Sequence, residues 1–299
     1  MKKQKILLLL LILCARMAGA QQTSSGQKAI SLNNLFISVG NYPGTSYHLS
    51  LESFRQLAPG SVFLQNDLSS FKSNRYSFFD NSYLFRAGAT FSKKNEPEKE
   101  RRIRHNFRLA ATYGGGTLYS NYFWKESRYP ADTLVSVKSG SIYVLDSVST
   151  KSYTMEYHQE YFGIDASLIF YSPAWHAFSI YGGVGINGNF NFDNYVTIGY
   201  SQFSHLEQSE SSRAEYFNVW RILDVNYEEE NIPTAKSFSA SIFLPLGVDM
   251  KLSKHERGLG KLHLYYELRP LILVSGVPEL KAFTGFRVQH SMGLRFTLI

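Results

Sequence analysis

The stretch from Phe283 to Ile299 alternates between large apolar side chains and small or polar ones. A period of two places each set on its own face of a β-strand. Strands of soluble proteins are about 5–6 residues long, whereas a tilted strand that crosses a bilayer needs roughly 9–11 residues. The stretch therefore predicts a membrane-crossing strand. Its apolar or amphipathic face is formed by Phe286, Val288, His290, Met292, Leu294, Phe296 and Leu298.

The N-terminus has the pattern of a secretory signal peptide. Three of the first five residues are lysines, residues 6–13 are all apolar, and Ala18 and Ala20 provide the small side chains of a cleavage site. The apolar run is too short to cross a membrane as a helix. We expect cleavage after Ala20, which leaves residues 21–299 as the mature β-barrel domain.

Cleavage also changes the composition of the chain. Cys14 is the one cysteine, so the mature protein would contain no disulfide, thiolate nucleophile or cysteine-bound metal. Loss of the four basic residues of the leader lowers the net charge from +7 to +3, which is not the footprint of a nucleic-acid-binding protein. An alternative is a lipoprotein modified at Cys14, although Leu13 stands where a small residue is expected.

The same alternation predicts seven further strands, which gives the even number that single-chain bacterial barrels need. The predicted fold is all-β, a transmembrane antiparallel up-and-down β-barrel of eight strands. An alternative of ten strands divides Tyr47–Phe79 into two more. The seven predicted strands are Asn34–Tyr42, Tyr83–Phe91, His105–Phe123, Tyr153–Tyr171, Ala177–Val196, Phe238–Leu252 and Lys261–Leu273.

The connections between these strands alternate in length, which predicts short periplasmic turns and long extracellular loops. The short connections are Lys93–Arg104, Ser172–His176 and Ser253–Gly260. The long connections are Pro43–Ser82, Trp124–Ser152 and Thr197–Ser237, followed by a shorter one at Val274–Ala282. Within the first, Leu51–Leu57 is expected to form a short amphipathic helix that stops at Pro59-Gly60. A soluble β-sandwich is the competing fold, but the polar face of Ala177–Val196 consists of Ser, Tyr, Gly and Asn rather than Lys and Glu.

The end of the chain also carries a recognisable motif. Ser291, Gly293, Phe296 and Leu298 follow the order polar, any, Gly, any, any, hydrophobic, any, hydrophobic. This order resembles the assembly signal that ends bacterial outer-membrane β-barrels, although Ile299 adds one residue where that family usually stops.

Residues 21–299 as a whole are similar to outer-membrane barrel-domain proteins of the Bacteroidetes, a Gram-negative group. The resemblance implies location in the cell outer membrane, in contact with outer-membrane lipid and lipopolysaccharide. It also implies recognition by the barrel-assembly machinery and an unknown extracellular ligand or protein as partner.

Charged residues recur on the inward face of the predicted strands. An eight-stranded barrel has an interior just wide enough for its own side chains, so buried charges there must be paired. We expect Arg86, Asp165, Glu267, Arg269 and Arg287 to form an ion-pair network that fills the lumen, with Glu267 and Arg269 facing Arg287. The alternative is a polar path. The complete inward charged set is Arg86, Arg108, Asp165, Asp249, Lys251, His263, Glu267, Arg269, Arg287 and Arg295.

Catalytic signatures are weak. His290 and Ser291 are adjacent on one strand, so their side chains point to opposite faces. His158 and Glu160 share a face but lie beyond the apolar band. We therefore expect no catalytic residue, metal or cofactor, and no binding of nucleic acid.

The expected function is a structural or surface role of the barrel, with its loops contacting ligands or partners. The first alternative is a porin-like narrow channel for small solutes, anions among them. The second is a lipid-modifying outer-membrane enzyme.

Overall fold

A computed structural model describes residues 30–42, 46–74, 82–93, 104–135, 140, 142–172, 177–208, 220–252 and 261–298. The expected signal peptide, with its cleavage residues Ala18 and Ala20, lies outside the described residues, as do most residues of the three expected short turns. Within the described residues, no helix is long and apolar enough to span a membrane.

The described part of the chain is built almost entirely of β-strands, with one α-helix and one 3-10 turn, Phe63–Gln65. The helix is α1 (Leu51–Leu57). The strands are β1 (Ile30–Asn41), β2 (Tyr47–His48), β3 (Lys72–Asn74), β4 (Tyr83–Lys93), β5 (Arg104–Val135), β6 (Ile142–Tyr171), β7 (Phe178–Gln208), β8 (Trp220–Pro233), β9 (Ser237–Phe243), β10 (Leu246–Lys251), β11 (Leu262–Gly276) and β12 (Phe283–Thr297).

Antiparallel pairing joins most of these strands into a closed sheet. From β1 the pairing runs through β4, β5 and β6 to β7. Strand β7 pairs with β9 and β10, both of these pair with β11, and β11 pairs with β12. The circuit closes where β12 pairs with β1, for example Leu35 opposite Phe296.

Strands β9 and β10 form one segment of this circuit with a break between them. The break falls at Leu244 and Pro245, where proline lacks the N–H that a continuous ladder needs. The backbone N–H of Leu244 still donates to the carbonyl oxygen of Pro270 on β11, at 3.0 Å. The segment therefore stays attached to its neighbour across the break.

Side-chain exposure in the closed sheet follows the alternation expected from the sequence. On β12, Phe286 and Met292 are 64% and 53% exposed, whereas Gln289 and Ser291 are 3% and 2% exposed. The outward face is apolar on the other strands as well. Its exposed members include Ile37, Val39, Phe85, Phe107, Ile164, Phe170, Ile180, Ile186, Phe238, Ile242, Val248 and Ile272.

Two of the expected long loops are not irregular. Strands β5 and β6 stay paired as far as Val135 opposite Ile142, and β7 and β8 stay paired as far as Glu207 opposite Trp220. The interpretation of Trp124–Ser152 and Thr197–Ser237 as loops was therefore wrong for most of their length. The Val, Ile, Tyr and Thr residues within these segments favour strands, and the cross-strand pairing satisfies the backbone polar groups. We call the end of the closed sheet from which these hairpins extend the hairpin end, and the opposite end the turn end.

The first long connection folds onto the hairpin end. Helix α1 begins after Ser50, whose Oγ accepts a hydrogen bond from the Ser53 backbone N–H at 3.1 Å, and it ends before Pro59, as expected. In its described residues, 47–74, the region that the ten-strand alternative divides into two strands contains the short strands β2 and β3 and no longer strand. Both pair with β5 at Tyr119–Trp124, beyond Gly115, which is opposite the first residue of β4, Tyr83.

Two buried apolar clusters lie inside the closed sheet. The larger one is at the hairpin end, where Phe54, Leu57, Leu64 and Leu68 of the first connection pack against residues of β5, β6, β7, β9 and β11. The smaller one lies toward the turn end and consists of Phe36, Ala110, Ile169, Tyr171, Tyr181 and Tyr265. Charged side chains occupy the interior between them.

Candidate functional site

Five charged residues meet in the interior, and we call them the interior charge cluster: Arg86 on β4, Arg108 on β5, Asp165 on β6, and Glu267 and Arg269 on β11. Each is at most 4% exposed. All five occupy inward positions of the alternation, and the pairing of their strands brings them to one level of the closed sheet.

Glu267 is the centre of this cluster. Its Oε1 accepts from Arg86 Nη1 at 3.1 Å, and its Oε2 accepts from Arg108 Nη1 at 2.6 Å. Arg269 Nε also donates to Oε1, and the Tyr181 hydroxyl donates to Oε2 at 3.0 Å. Four donors therefore share one carboxylate.

Asp165 is the second acid of the cluster. Its Oδ2 accepts from Arg269 Nη1 at 2.6 Å and lies 3.8 Å from Arg86 Nη1. Three guanidinium groups thus face two carboxylates. The surplus positive charge is partly compensated by neutral acceptors, since Arg108 Nε donates to Ser167 Oγ at 3.1 Å and Arg269 lies 4.3 Å from the ring centroid of Phe243.

Arg287 lies apart from the cluster, contrary to the expected contact with Glu267 and Arg269. On β12 it is opposite Leu271, so it lies nearer the hairpin end than Arg269 does. Its guanidinium lies over the rings of Tyr42 and Tyr47, at 5.5 and 4.9 Å from their centroids. The residue that contacts Glu267 is instead Arg108. The alternation of β5 predicted that the Arg108 side chain points inward, but it could not predict that Arg108 lies at the same level of the barrel as Glu267 on β11.

A second charged group lies at the turn end. Asp249 on β10 accepts from Arg295 Nη2 on β12 at 2.8 Å, and its Oδ1 lies 2.6 Å from His263 Nδ1 on β11. These inward residues follow the expected parity, and they lie next to the smaller apolar cluster, since Arg295 is 5.0 Å from the ring centroid of Tyr171.

Two small cavities lie in the described interior. A cavity of about 30 Å³ is lined in part by Tyr42, Gln159, Tyr161, Asn189 and Arg287, and a neighbouring one is about 10 Å³. A water molecule needs roughly 10–15 Å³ of such volume. These cavities therefore hold a few water molecules at most.

The first connection is fastened over this interior. Glu230 on β8 accepts hydrogen bonds from Ser61 Oγ at 2.6 Å and from the Val62 backbone N–H at 3.2 Å. Arg55 on α1 donates to the carbonyl oxygens of Leu64 and Asn66, at 3.0 and 3.2 Å. The first connection is thus folded on itself and attached to the β7–β8 hairpin.

The outer wall beside the hairpin end carries polar residues beyond the apolar band. His158 on β6 contacts Thr117 Oγ1 through Nδ1 at 3.1 Å and Glu156 Oε2 through Nε2 at 3.0 Å. Glu160, which shares the face of His158, accepts from the hydroxyls of Tyr83 and Tyr113 at 2.9 and 3.0 Å. The sequence drew attention to His158 and Glu160, but not to Thr117 and Glu156.

Strand β8 carries an acidic run at the same end. The Tyr227 hydroxyl donates to Glu229 at 2.6 Å and the Asn231 amide donates to it at 2.9 Å. These two hydrogen bonds, the tyrosine first, lower the pKa of the Glu229 carboxyl from its usual value. The carboxylate form of Glu229 is therefore favoured.

The residues of the C-terminal motif take different positions. Ser291 points inward and accepts from Arg86, whereas Phe296 points outward and is 43% exposed. A Cβ at Gly293 would lie 2.7 Å from Ser38 Cβ and would also overlap the Ile37 carbonyl oxygen. The glycine is therefore required for the close approach of β12 and β1.

No protein-family model matches the chain, and no curated protein matches it. Among solved structures, it is similar to Ail of Yersinia pestis in complex with the heparin analogue sucrose octasulfate, at 8% identity, over 89% of this chain and 99% of that one, with a TM-score of 0.23. It is similar to OmpT of Vibrio cholerae at 8% identity, over 92% and 99% of the two chains, with a TM-score of 0.16. OccK9 of Pseudomonas aeruginosa shares 9% identity over 90% and 99%, with a TM-score of 0.14. At these TM-scores the likenesses carry no argument about this chain.

Proposed function

We propose that the protein is an integral outer-membrane β-barrel with a closed lumen and a non-enzymatic surface role. In this proposal, eight segments cross the membrane: β1, β4, β5, β6, β7, β9 with β10, β11 and β12. Their closed pairing satisfies the backbone groups that lipid cannot, which is the condition for strands to span a bilayer.

The observation that carries the proposal is the inverted distribution of polarity. Ile186 and Phe286 are 60% and 64% exposed on the outer wall, while Glu267 is fully buried inside. A soluble protein places charges outside and bulky apolar groups inside, because that arrangement removes apolar surface from water. The reverse arrangement suits a wall that is surrounded by lipid.

The orientation follows from the lengths of the connections. The hairpin end, which carries the first connection and the extended β5–β6 and β7–β8 hairpins, would face outside the cell, and the turn end would face the periplasm. The expected signal peptide agrees with this route to the outer membrane. The surface role would then belong to the hairpin end.

Closure of the lumen separates this proposal from a channel. The interior charge cluster, the turn-end ion pairs and the apolar cluster under the first connection occupy successive levels of the described interior. A conducting path would have to cross all three. We therefore propose a surface protein rather than a pore.

The test has two measurements on the full-length protein. Intact cells would be treated with a protease. Cleavage is expected in the parts of the β5–β6 and β7–β8 hairpins that extend beyond the closed sheet, because these parts would be at the cell surface. Refolded protein with heat-modifiable gel migration would then be placed in planar bilayers, where no conductance steps are expected. Protection of the hairpins in intact cells would contradict the orientation, and reproducible steps would contradict the closed lumen.

A second candidate function, lipid modification, has one observation in its favour. The contacts from Thr117 through His158 to Glu156 place a hydroxyl, an imidazole and a carboxylate in sequence on the outer wall. Thr117 is only 5% exposed, so a substrate would have to displace a neighbour to reach its hydroxyl. Mass spectra of outer-membrane lipids from cells with the protein and with a Thr117→Val variant test this function, and identical spectra would remove it.

A further inference from the structure

The β7–β8 hairpin leaves one edge of a sheet open. Strand β8 pairs with β7 over its whole length, from Glu207 opposite Trp220 to Tyr195 opposite Pro233. Among the described residues no strand pairs with the other edge of β8. An open edge presents backbone N–H and C=O groups on which another chain can add a strand.

The opposite edge of the same sheet is protected, which makes β8 distinctive. On β5, the part next to the barrel is covered by β2 and β3. Further out, Pro130 removes a backbone donor and lies at a bulge in the pairing with β6. Proline and bulges are the usual devices that block strand addition. Strand β8 has a proline only at its end, Pro233.

The side chains of β8 define the chemistry of a partner. Ile222, Val225 and Tyr227 are 50%, 64% and 63% exposed, which gives an extended partner apolar surface to cover. The strand contains one arginine against one aspartate and three glutamates. Two of these carboxylates are held in place along the strand, because Asn226 donates to Glu228 at 3.0 Å and Tyr227 donates to Glu229.

A second copy of this chain is a poor occupant. Two copies in one membrane are related by an axis along the membrane normal, so their β8 strands would run parallel and place the same acidic residues side by side. Like charges in neighbouring positions of a sheet are destabilising. The acidic edge favours a partner of opposite charge.

We infer that the open edge of β8 binds an extended polypeptide segment that carries Lys or Arg at alternate positions. The segment would add a fifth strand to the sheet of β5, β6, β7 and β8. Its basic side chains would lie beside Asp224 and Glu228, which share one face of β8, and its other side chains would lie beside Val225 and Tyr227 on the opposite face. This inference rests on the proposed surface function and names the class of partner.

The test uses a fluorescent ten-residue peptide in which Lys alternates with Thr and Val, and full-length protein refolded into lipid nanodiscs. Fluorescence anisotropy should detect binding, and hydrogen exchange should show new protection of amides in β8. A peptide with Glu in place of Lys should bind about tenfold more weakly or not at all. A Lys peptide N-methylated at its four central residues keeps its charge but loses donors on both edges, and it should bind equally poorly.

A pair of matched variants locates the site. Asp224→Lys with Glu228→Lys should weaken binding about tenfold, while Glu126→Lys with Asp132→Lys on the protected β5 edge should change it by less than about twofold. Heat-modifiable migration verifies that each variant folds. If the β8 variant does not fold, the exchange experiment on the unmodified protein decides the question alone.

Equal binding of the N-methylated peptide would show attraction between charges without strand addition, and it would overturn the inference. Protection of the β5 edge instead of β8 would also overturn it. If the hairpins are cleaved on intact cells but the peptide does not bind, the inference is refuted while the proposed surface function is not. Hairpins protected on intact cells would refute the proposed surface function.

Discussion

Glu267 on β11 and Arg108 on β5 are joined across the interior by a 2.6 Å hydrogen bond between Oε2 and Nη1, although 159 residues separate them in the chain. Both side chains are buried, so water cannot take the place of either hydrogen-bonding partner. The bond is therefore one of the contacts through which opposite walls of the closed sheet depend on each other.

The substitution Glu267→Gln should strongly destabilise the protein. It keeps the size of the side chain but leaves three buried guanidinium groups with a single carboxylate, Asp165. Removing one partner of a buried ion pair typically costs about 3–5 kcal/mol. The measurement is the free energy of unfolding in denaturant of protein refolded into lipid vesicles.

The control for that experiment is Glu126→Gln. Glu126 pairs with Arg128 on the β5–β6 hairpin, where both side chains are exposed to solvent. Exposed pairs contribute less than about 1 kcal/mol, so this variant should unfold nearly as the parent does. Equal loss in both variants would contradict a special role of the interior charge cluster.

The substitution Gly293→Ala should impair folding without any assembly factor. The new methyl group would overlap the Ile37 carbonyl oxygen and Ser38 Cβ on β1. The yield of heat-modifiable protein after refolding in detergent measures the effect, with Gly276→Ala as control because its nearest neighbour atom is 3.8 Å away. An unchanged yield for Gly293→Ala would mean that the glycine matters only as part of a recognition motif.

The substitution Glu230→Ala should release the first connection from the β7–β8 hairpin. It removes the acceptors of Ser61 Oγ and the Val62 backbone N–H. Amide exchange in residues 61–66 should accelerate at least about tenfold, because the variant loses two charge-assisted hydrogen bonds. Glu228→Ala is the control, since Glu228 accepts from Asn226 on its own strand and from none of the described residues of the first connection.

The carboxyl of Glu229 should titrate below its usual value of 4.5, because Tyr227 and Asn231 donate to its charged form. A lowered pKa in the folded state means that the carboxylate adds stability above pH 4.5 and that this contribution is lost as the pH falls through the folded pKa. NMR titration of ¹³C-labelled glutamate measures it. Tyr227→Phe should return the pKa toward the usual value, whereas Tyr129→Phe on β5 should leave it unchanged.

The sequence predicted which face of each strand is apolar, because a period of two is visible in residues such as Phe286, Met292 and Phe296 without knowledge of the neighbouring strands. It also predicted the helix Leu51–Leu57, since both its amphipathic pattern and its stop at Pro59-Gly60 are local.

The relative heights of the strands could not be predicted in the same way. Shifting β11 by four residues along β12 keeps every side chain on its face, yet it would place Glu267 opposite Arg287 instead of Ser291. The continuation of β5 and β6 beyond Trp124 was missed for a related reason. Charged and turn-prone residues in that segment suit a loop, whereas pairing with a neighbour that is distant in sequence stabilises it as a strand.

In the proposed outer-membrane location, the pairing of β1 with β12 would set a condition on how the protein enters the membrane. Asn34 is opposite Thr297, so the ring stays open until the last strand has been synthesised. Before that moment the three arginines and two acids of the interior charge cluster would face an open side, where they would have to be dehydrated to enter lipid. Insertion would thereby be coupled to completion of the ring.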